Sequence, residues 1–311
     1  MLYPPAEPYE SGRLDVGDGN SIYWETCGDP AGKPAVVLHG GPGSGCSPWF
    51  RRLFDPAAYR IVLFDQRNCG RSHPHASLAS TDLGTNTTQN LLRDVERLRE
   101  LLSIERWLVV GGSWGSILAL AYAQAHPERV SEMVLFGVAT GRRSENDWLF
   151  RGGLARFFPA QWERLTRGLA AGDVVEAYAR MLDSPDPSMR RHAADGWCLW
   201  ESATPHWPPH DELDIRFRDP DYAMAFARIV THYVSHDLFL EDGELLRRAT
   251  ELADIPGVLV QGRFDFQSPL QNVWELHRAW PRSELVVVDE AGHSAGERIG
   301  GEVVRATDRF R

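Results

Sequence analysis

Cysteine is scarce in this chain: four thiols (Cys27, Cys46, Cys69 and Cys198) occur in 311 residues, with no CxxC pair among them. That spacing excludes a disulfide scaffold and a cysteine-built zinc site, and leaves reduced thiols as the expectation. Long apolar runs are missing as well. No stretch approaches the 18 or so residues needed to span a bilayer, so a membrane partner is not expected. The opening MLYPPAEPYESGR has neither a basic n-region nor an apolar h-region, which makes the cytoplasm the expected location. Positive charge is in deficit too, with 33 Lys plus Arg against 43 Asp plus Glu and a net charge of −10. An acidic surface repels nucleic acid and anionic lipid, so neither is an expected partner. H-E-x-x-H is absent, as is any His/Cys/Asp cluster at ligand spacing. The P-loop pattern G-x-x-x-x-G-K-[ST] and its lysine are missing. No metal and no cofactor is expected. The sequence does not indicate an oligomeric state.

Short apolar runs alternate with helical patterns. Strands are expected at Ala35–Leu38, Arg60–Phe64, Trp107–Val110, Met133–Phe136, Gly257–Gln261 and Glu284–Val288. Continuous apolar runs of this kind suit strands buried on both faces of a parallel sheet. Arg13–Val16 and Ser21–Thr26, around Gly17-Asp18-Gly19-Asn20, read as an antiparallel hairpin at the sheet edge. Helices are expected at Thr88–Leu102, Trp114–His126, Pro269–Trp280 and Glu297–Arg309. Between about Gly141 and His236 the rhythm breaks: no strong strand run occurs, and five of the eleven tryptophans fall here. The reading is an α/β fold whose core comprises residues 1–140 and 241–311, with a helical cap at 141–240.

Leu108-Val109-Val110-Gly111-Gly112-Ser113-Trp114-Gly115-Ser116 is an apolar run, then G-x-S-x-G, then an Ala/Leu-rich helix. The nucleophile of such an elbow sits on a sharp strand-to-helix turn, so its neighbours must be small. Ser113 is therefore the candidate nucleophile, and the Trp114 N–H a candidate oxyanion donor. Upstream, His39-Gly40-Gly41-Pro42-Gly43 follows a strand, and the Gly41 N–H is the candidate second donor. His39 precedes the nucleophile and reads as a structural hydrogen-bonding residue. In this order of elements the acid and the base follow the serine. Asp265 lies just past the strand ending at Gln261, whereas Asp254 precedes it, and Asp289 stands four residues before the base candidate. His293, in the loop before the last helix, is the candidate base, leaving Asp265 to fix its tautomer. A serine at the elbow argues against the carboxylate chemistry of epoxide and haloalkane hydrolysis.

With those residues in place, the sequence resembles the proline iminopeptidases, α/β-hydrolases that release an N-terminal proline. The resemblance runs through Met1–Pro5, Ile22–Glu25, His39–Gly43, Asp65-Gln66-Arg67, Cys69–Ser72, Asn86–Thr88, Gly111–Ser116, Ala227–Ile229, His232-Tyr233, Gln261–Arg263 and Ala291–Ser294. It implies an α/β-hydrolase fold with a mostly parallel sheet and a substrate-selecting helical cap. It also implies a small peptide or aminoacyl substrate, with Glu201, Val230 and Tyr233 as substrate-binding positions. Glu201 matches a glutamate that holds the substrate amine. Val230 stands where the family carries a second glutamate, and Asn68 where it usually has glycine. The expected activity is a serine exopeptidase acting through an acyl-enzyme. The alternative is an α/β-hydrolase or acyltransferase acting on an ester, thioester or lactone; a catalytically inactive binding protein would need the triad to be non-functional.

Overall fold

A computed structural model of the chain describes residues 1–294 and 296–311. Eight strands form one sheet: β1 (Pro8–Gly17), β2 (Asn20–Gly28), β3 (Lys33–Leu38), β4 (Tyr59–Phe64), β5 (Trp107–Gly112), β6 (Val130–Phe136), β7 (Gly257–Gly262) and β8 (Ser283–Val288), in the order β1-β2-β4-β3-β5-β6-β7-β8. The pairings β1–β2 and β2–β4 are antiparallel, and every other pairing is parallel. The β1–β2 turn is tighter than its sequence suggests: Asn20 already pairs with Gly17, leaving Asp18 (φ 55°) and Gly19 (φ 73°) as the two central residues. Positive φ at both central positions matches the right-handed twist of a hairpin.

The alternation of side chains along a strand divides the apolar residues between two cores. Val36, Leu38, Val109 and Leu135 face one core, which includes α1 (Thr88–Leu101), α2 (Trp114–Ala125) and α9 (Leu270–Ala279). Ala35, Val37, Leu108, Val110 and Val134 face the other, beneath Ile299, Val303 and Val304 of α10 (Glu297–Arg309). Each such side chain contributes roughly 1.5–3 kcal/mol on burial. The run at β8 departs from expectation. It is an edge strand with only β7 beside it, so its residues are half-buried.

Between β6 and β7 the chain forms α3 (Arg143–Phe150), α4 (Pro159–Thr166), α5 (Val174–Leu182), α6 (Pro187–Ala203) and α7 (Pro220–Ser235). Asp173, Asp186 and Asp219 cap α5, α6 and α7 by accepting first-turn N–H groups. The core on the α2 face runs without a break into these helices through Phe150, Trp197, Phe226 and Val230. A short helix, α8 (Glu244–Arg247), leads back to β7. No helix among the described residues is long and apolar enough to cross a membrane.

At the end of β5 the crossing of strand and helix is tight. A Cβ added at Gly115 would be driven into the Leu38 carbonyl oxygen of β3. This obstacle is backbone and cannot swing aside. Gly115→Ala is expected to destabilise the fold by about 3 kcal/mol, read as a lower urea midpoint at an unchanged m-value.

Candidate active site

Ser113 follows β5 with φ 56° and ψ −125° and opens α2. This left-handed backbone is unusual for a non-glycine residue, and it turns the side chain out of the sheet. The turn is tied down on both sides. The Ser113 N–H donates to Phe136 O at 3.0 Å, and Ser116 Oγ donates to Ser113 O at 2.6 Å.

The Ser113 hydroxyl lies 2.9 Å from His293 Nε2, and His293 Nδ1 lies 2.8 Å from Asp265 Oδ2. These distances suit a neutral imidazole that accepts from Ser113 and donates to Asp265. Asp265 also accepts from Gln261 Nε2 and from the Ser268 N–H, each at 2.7 Å. Burial disfavours the imidazolium of His293. The Asp265 charge and hydrogen bond, helped by Glu201, outweigh burial and raise its pKa.

Two backbone N–H groups beside Ser113 are left without an acceptor among the described residues. Trp114 is the first residue of α2, so no preceding turn can engage its N–H. Gly41 has φ 115°, and a Cβ there would press against Gly43 N at 2.6 Å, so only glycine fits. The Gly41 N–H meets no acceptor among the described residues. Both residues line one cavity of about 910 Å³ with Ser113, His293, Glu201 and Val230.

Glu201, in the last turn of α6, is 8% exposed, and its carboxylate takes part in no ion pair among the described residues. Burial pushes its pKa to about 7, against the pull of Arg216 and His293. Val230 forms apolar wall, at 1% exposure. Tyr233 is displaced from its expected role. It is fully buried behind the cavity, its hydroxyl donating to Asn86 Oδ1 at 2.7 Å and its ring packed edge-on against Trp114. Tyr233 follows Val230 by three residues on α7, and its side chain is spent on packing the elbow rather than on lining the pocket.

Several residues in the matched motifs hold this geometry without facing the cavity. His39 Nε2 accepts the Gln66 N–H at 3.0 Å while its Nδ1 meets Gly40 O at 2.9 Å, and burial lowers its pKa. The Gln66 amide donates to His39 O at 3.0 Å and accepts from the Trp114 indole at 2.9 Å. One side chain thus braces both loops that carry the candidate oxyanion donors. Arg67 pairs with the buried Asp94 at 2.6 Å, and Asp65 accepts from the Cys46 N–H at 2.7 Å. Asn68 takes φ 64°, a conformation asparagine adopts more readily than most non-glycine residues, and its amide donates to Asn20 Oδ1 and Pro74 O. Gln66 and Gln261 were not singled out as site residues by sequence reasoning. The available signal was an amide beside or inside an otherwise apolar buried strand.

The alpha/beta hydrolase fold family profile matches residues 33–297. A protein of Streptomyces coelicolor named as a probable proline iminopeptidase is 56% identical, over 99% of this chain and 97% of its own length. The proline iminopeptidase of Xylella fastidiosa (strain Temecula1) is 48% identical over 99% of both chains. The chain belongs to the proline iminopeptidase family of α/β-hydrolases. The crystal structure of proline iminopeptidase from Mycobacterium smegmatis shares its fold, with a TM-score of 0.64 at 19% identity over 97% of each chain.

A buried carboxylate with a raised pKa also costs stability. The unfolded chain releases the Glu201 proton near pH 4.5 and the folded chain near pH 7. Stability from this group is therefore present below pH 4.5 and lost as pH rises toward 7, at a cost of about 3 kcal/mol above it. Glu201→Gln is expected to gain more stability over wild type at pH 8 than at pH 5 in thermal unfolding.

Proposed function

We propose that this chain is a serine exopeptidase that releases an N-terminal proline, or a similar small residue, from short peptides and amides. The observation that carries the reading is Glu201, a buried carboxylate without an ion-pair partner that shares one cavity with the Ser113–His293–Asp265 line. A charge-assisted hydrogen bond from the substrate's amine would give Glu201 the cationic partner it lacks. It would also fix the scissile carbonyl one residue away, as exopeptidase action requires. Ile117, Phe226, Val230 and Val234 offer apolar wall for a proline ring. The inserted helices, residues 141–240, act in this reading as the selecting cap.

Ser113 Oγ attacks the carbonyl carbon as His293 Nε2 takes its proton. The oxyanion is held by the Gly41 and Trp114 N–H groups, and loss of one such donor typically costs about 10²–10³ in rate. His293 then protonates the departing amine, leaving a prolyl ester on Ser113. Water, deprotonated by His293, attacks this ester and releases proline. Asp265 steadies the imidazolium in both halves.

Val230 supports a second reading, in which the same machinery acts on an ester, thioester or lactone, because an apolar residue gives a cationic amine no partner. The two readings separate on prolyl p-nitroanilide and its N-acetyl derivative. The exopeptidase reading expects acetylation to lower kcat/KM at least 10²-fold, since it removes the charge that Glu201 would bind. A rise in kcat/KM on the free amine in Val230→Glu would indicate a lost amine site and favour the second reading. Equal turnover of both substrates would favour the second reading.

A further inference from the structure

Arg216 lines the same cavity as Glu201, Ser113 and His293, and neither the triad nor amine recognition uses it. It lies in the single helical turn Ile215–Arg218 that precedes α7. Its Nε sits 2.9 Å from Asp214 Oδ2, and the guanidinium carbon stands 4.6 Å over the Phe217 ring and 5.4 Å from that of Phe226. The rings hold the plane from one side, while Asp214 lies at ion-pair distance from Nε without accepting a hydrogen bond from it. The other edge is nearly free. Nη1 has only long contacts, 3.4 Å to Ser44 Oγ and 3.5 Å to the Tyr222 hydroxyl, and Nη2 has no partner among the described residues.

Ser44 belongs to the loop that carries Gly41, since its N–H donates to Gly40 O at 3.2 Å. The open guanidinium edge therefore hangs beside the loop that would cradle the oxyanion. A free planar fork of this kind fits a carboxylate, which it can bind through two parallel N–H bonds. Of the three carboxylates lining the cavity, Glu145 is paired with Arg142 and Asp214 lies beside Arg216 itself, which leaves Glu201 and the open guanidinium edge to meet a ligand. Where the family resemblance puts a second acid, Val230 adds no negative charge. That balance suits a zwitterion better than a simple cation.

We propose that Arg216 binds the free C-terminal carboxylate of a dipeptide whose N-terminal amine is held by Glu201, making dipeptides the favoured substrate class of this enzyme. The inference rests on the exopeptidase reading above. One residue beyond the scissile bond extends about 3.5 Å, so the carboxylate falls near the reacting centre only in a dipeptide. In a longer or amidated peptide the same place holds a neutral amide, which gives the guanidinium a weaker acceptor.

The test compares kcat/KM for Pro-Ala, Pro-Ala-amide and Pro-Ala-Ala-Ala-amide. Pro-Ala is expected to exceed both amides by about tenfold to a hundredfold, the worth of one charged hydrogen-bonded pair. Arg216→Gln should bring the three values together, and Arg216→Lys, which keeps the charge but not the fork, should retain part of the preference. Equal values for the three substrates in the wild-type enzyme, or a preference unchanged in Arg216→Gln, would overturn the inference while leaving the exopeptidase reading intact. No cleavage of any of the three would overturn that reading, and this inference with it.

Discussion

At Ser113 the backbone adopts φ 56° and ψ −125°, a conformation that costs of order 1–3 kcal/mol wherever it occurs in a non-glycine residue. It persists because its surroundings leave the chain no other path. β5 ends between β3 and β6, α2 begins against the Leu38 carbonyl, and Phe136 O accepts the serine N–H. Much of the site inherits its position from this turn. It presents Ser113 Oγ to His293 and leaves the Trp114 N–H unengaged. It also directs the Trp114 indole to Gln66, whose amide reaches back to the Gly40-Gly41 loop.

The inserted helices are coupled to the reacting groups rather than merely laid over them. The Ser294 N–H donates to Pro205 O at 2.8 Å, so the loop carrying His293 is tied to the segment just after α6, where Glu201 lies. Across the cavity the Tyr222 hydroxyl donates to Ser44 O at 3.1 Å, joining α7 to the glycine-rich loop. Gln267, next to the Ser268 that donates to Asp265, reaches Thr204 Oγ1 at 2.7 Å. The inserted helices and the loops around Ser113 therefore share a frame. Under the proposed function, a shift of these helices that moves Glu201 would also strain the loops carrying His293 and Gly41, and misplacement of about 1 Å can cost 10²-fold in rate.

Much of this was legible in the sequence because local pattern and tertiary demand coincide. The small residues around Ser113 are required by the crossing they permit, and each apolar strand run is explained by a core on either face of the sheet. β8 misled because an apolar run records hydrophobicity and not a strand's place in the sheet; at the edge it is only half covered. Tyr233 misled for a related reason. A shared motif marks proximity to the site, but the face of α7 on which the residue falls turns its ring toward Trp114 and away from the cavity. Gln66 and Gln261 stood out only as amides at apolar strands, because their partners, such as Trp114 for Gln66 and Val138 for Gln261, lie far along the chain. Glu201 was named through resemblance alone, and its raised pKa follows from burial that only the packed helices create.

The central claim is that Ser113 is a nucleophile working in a cavity that selects a free amine. The most direct measurement is intact-protein and peptide mass spectrometry after a fluorophosphonate probe, with proline amide or N-acetyl-proline amide as competitor. The account expects a single adduct on Ser113, no adduct in Ser113→Ala, and protection by proline amide alone. Labelling at another residue, or equal protection by the two competitors, would contradict it.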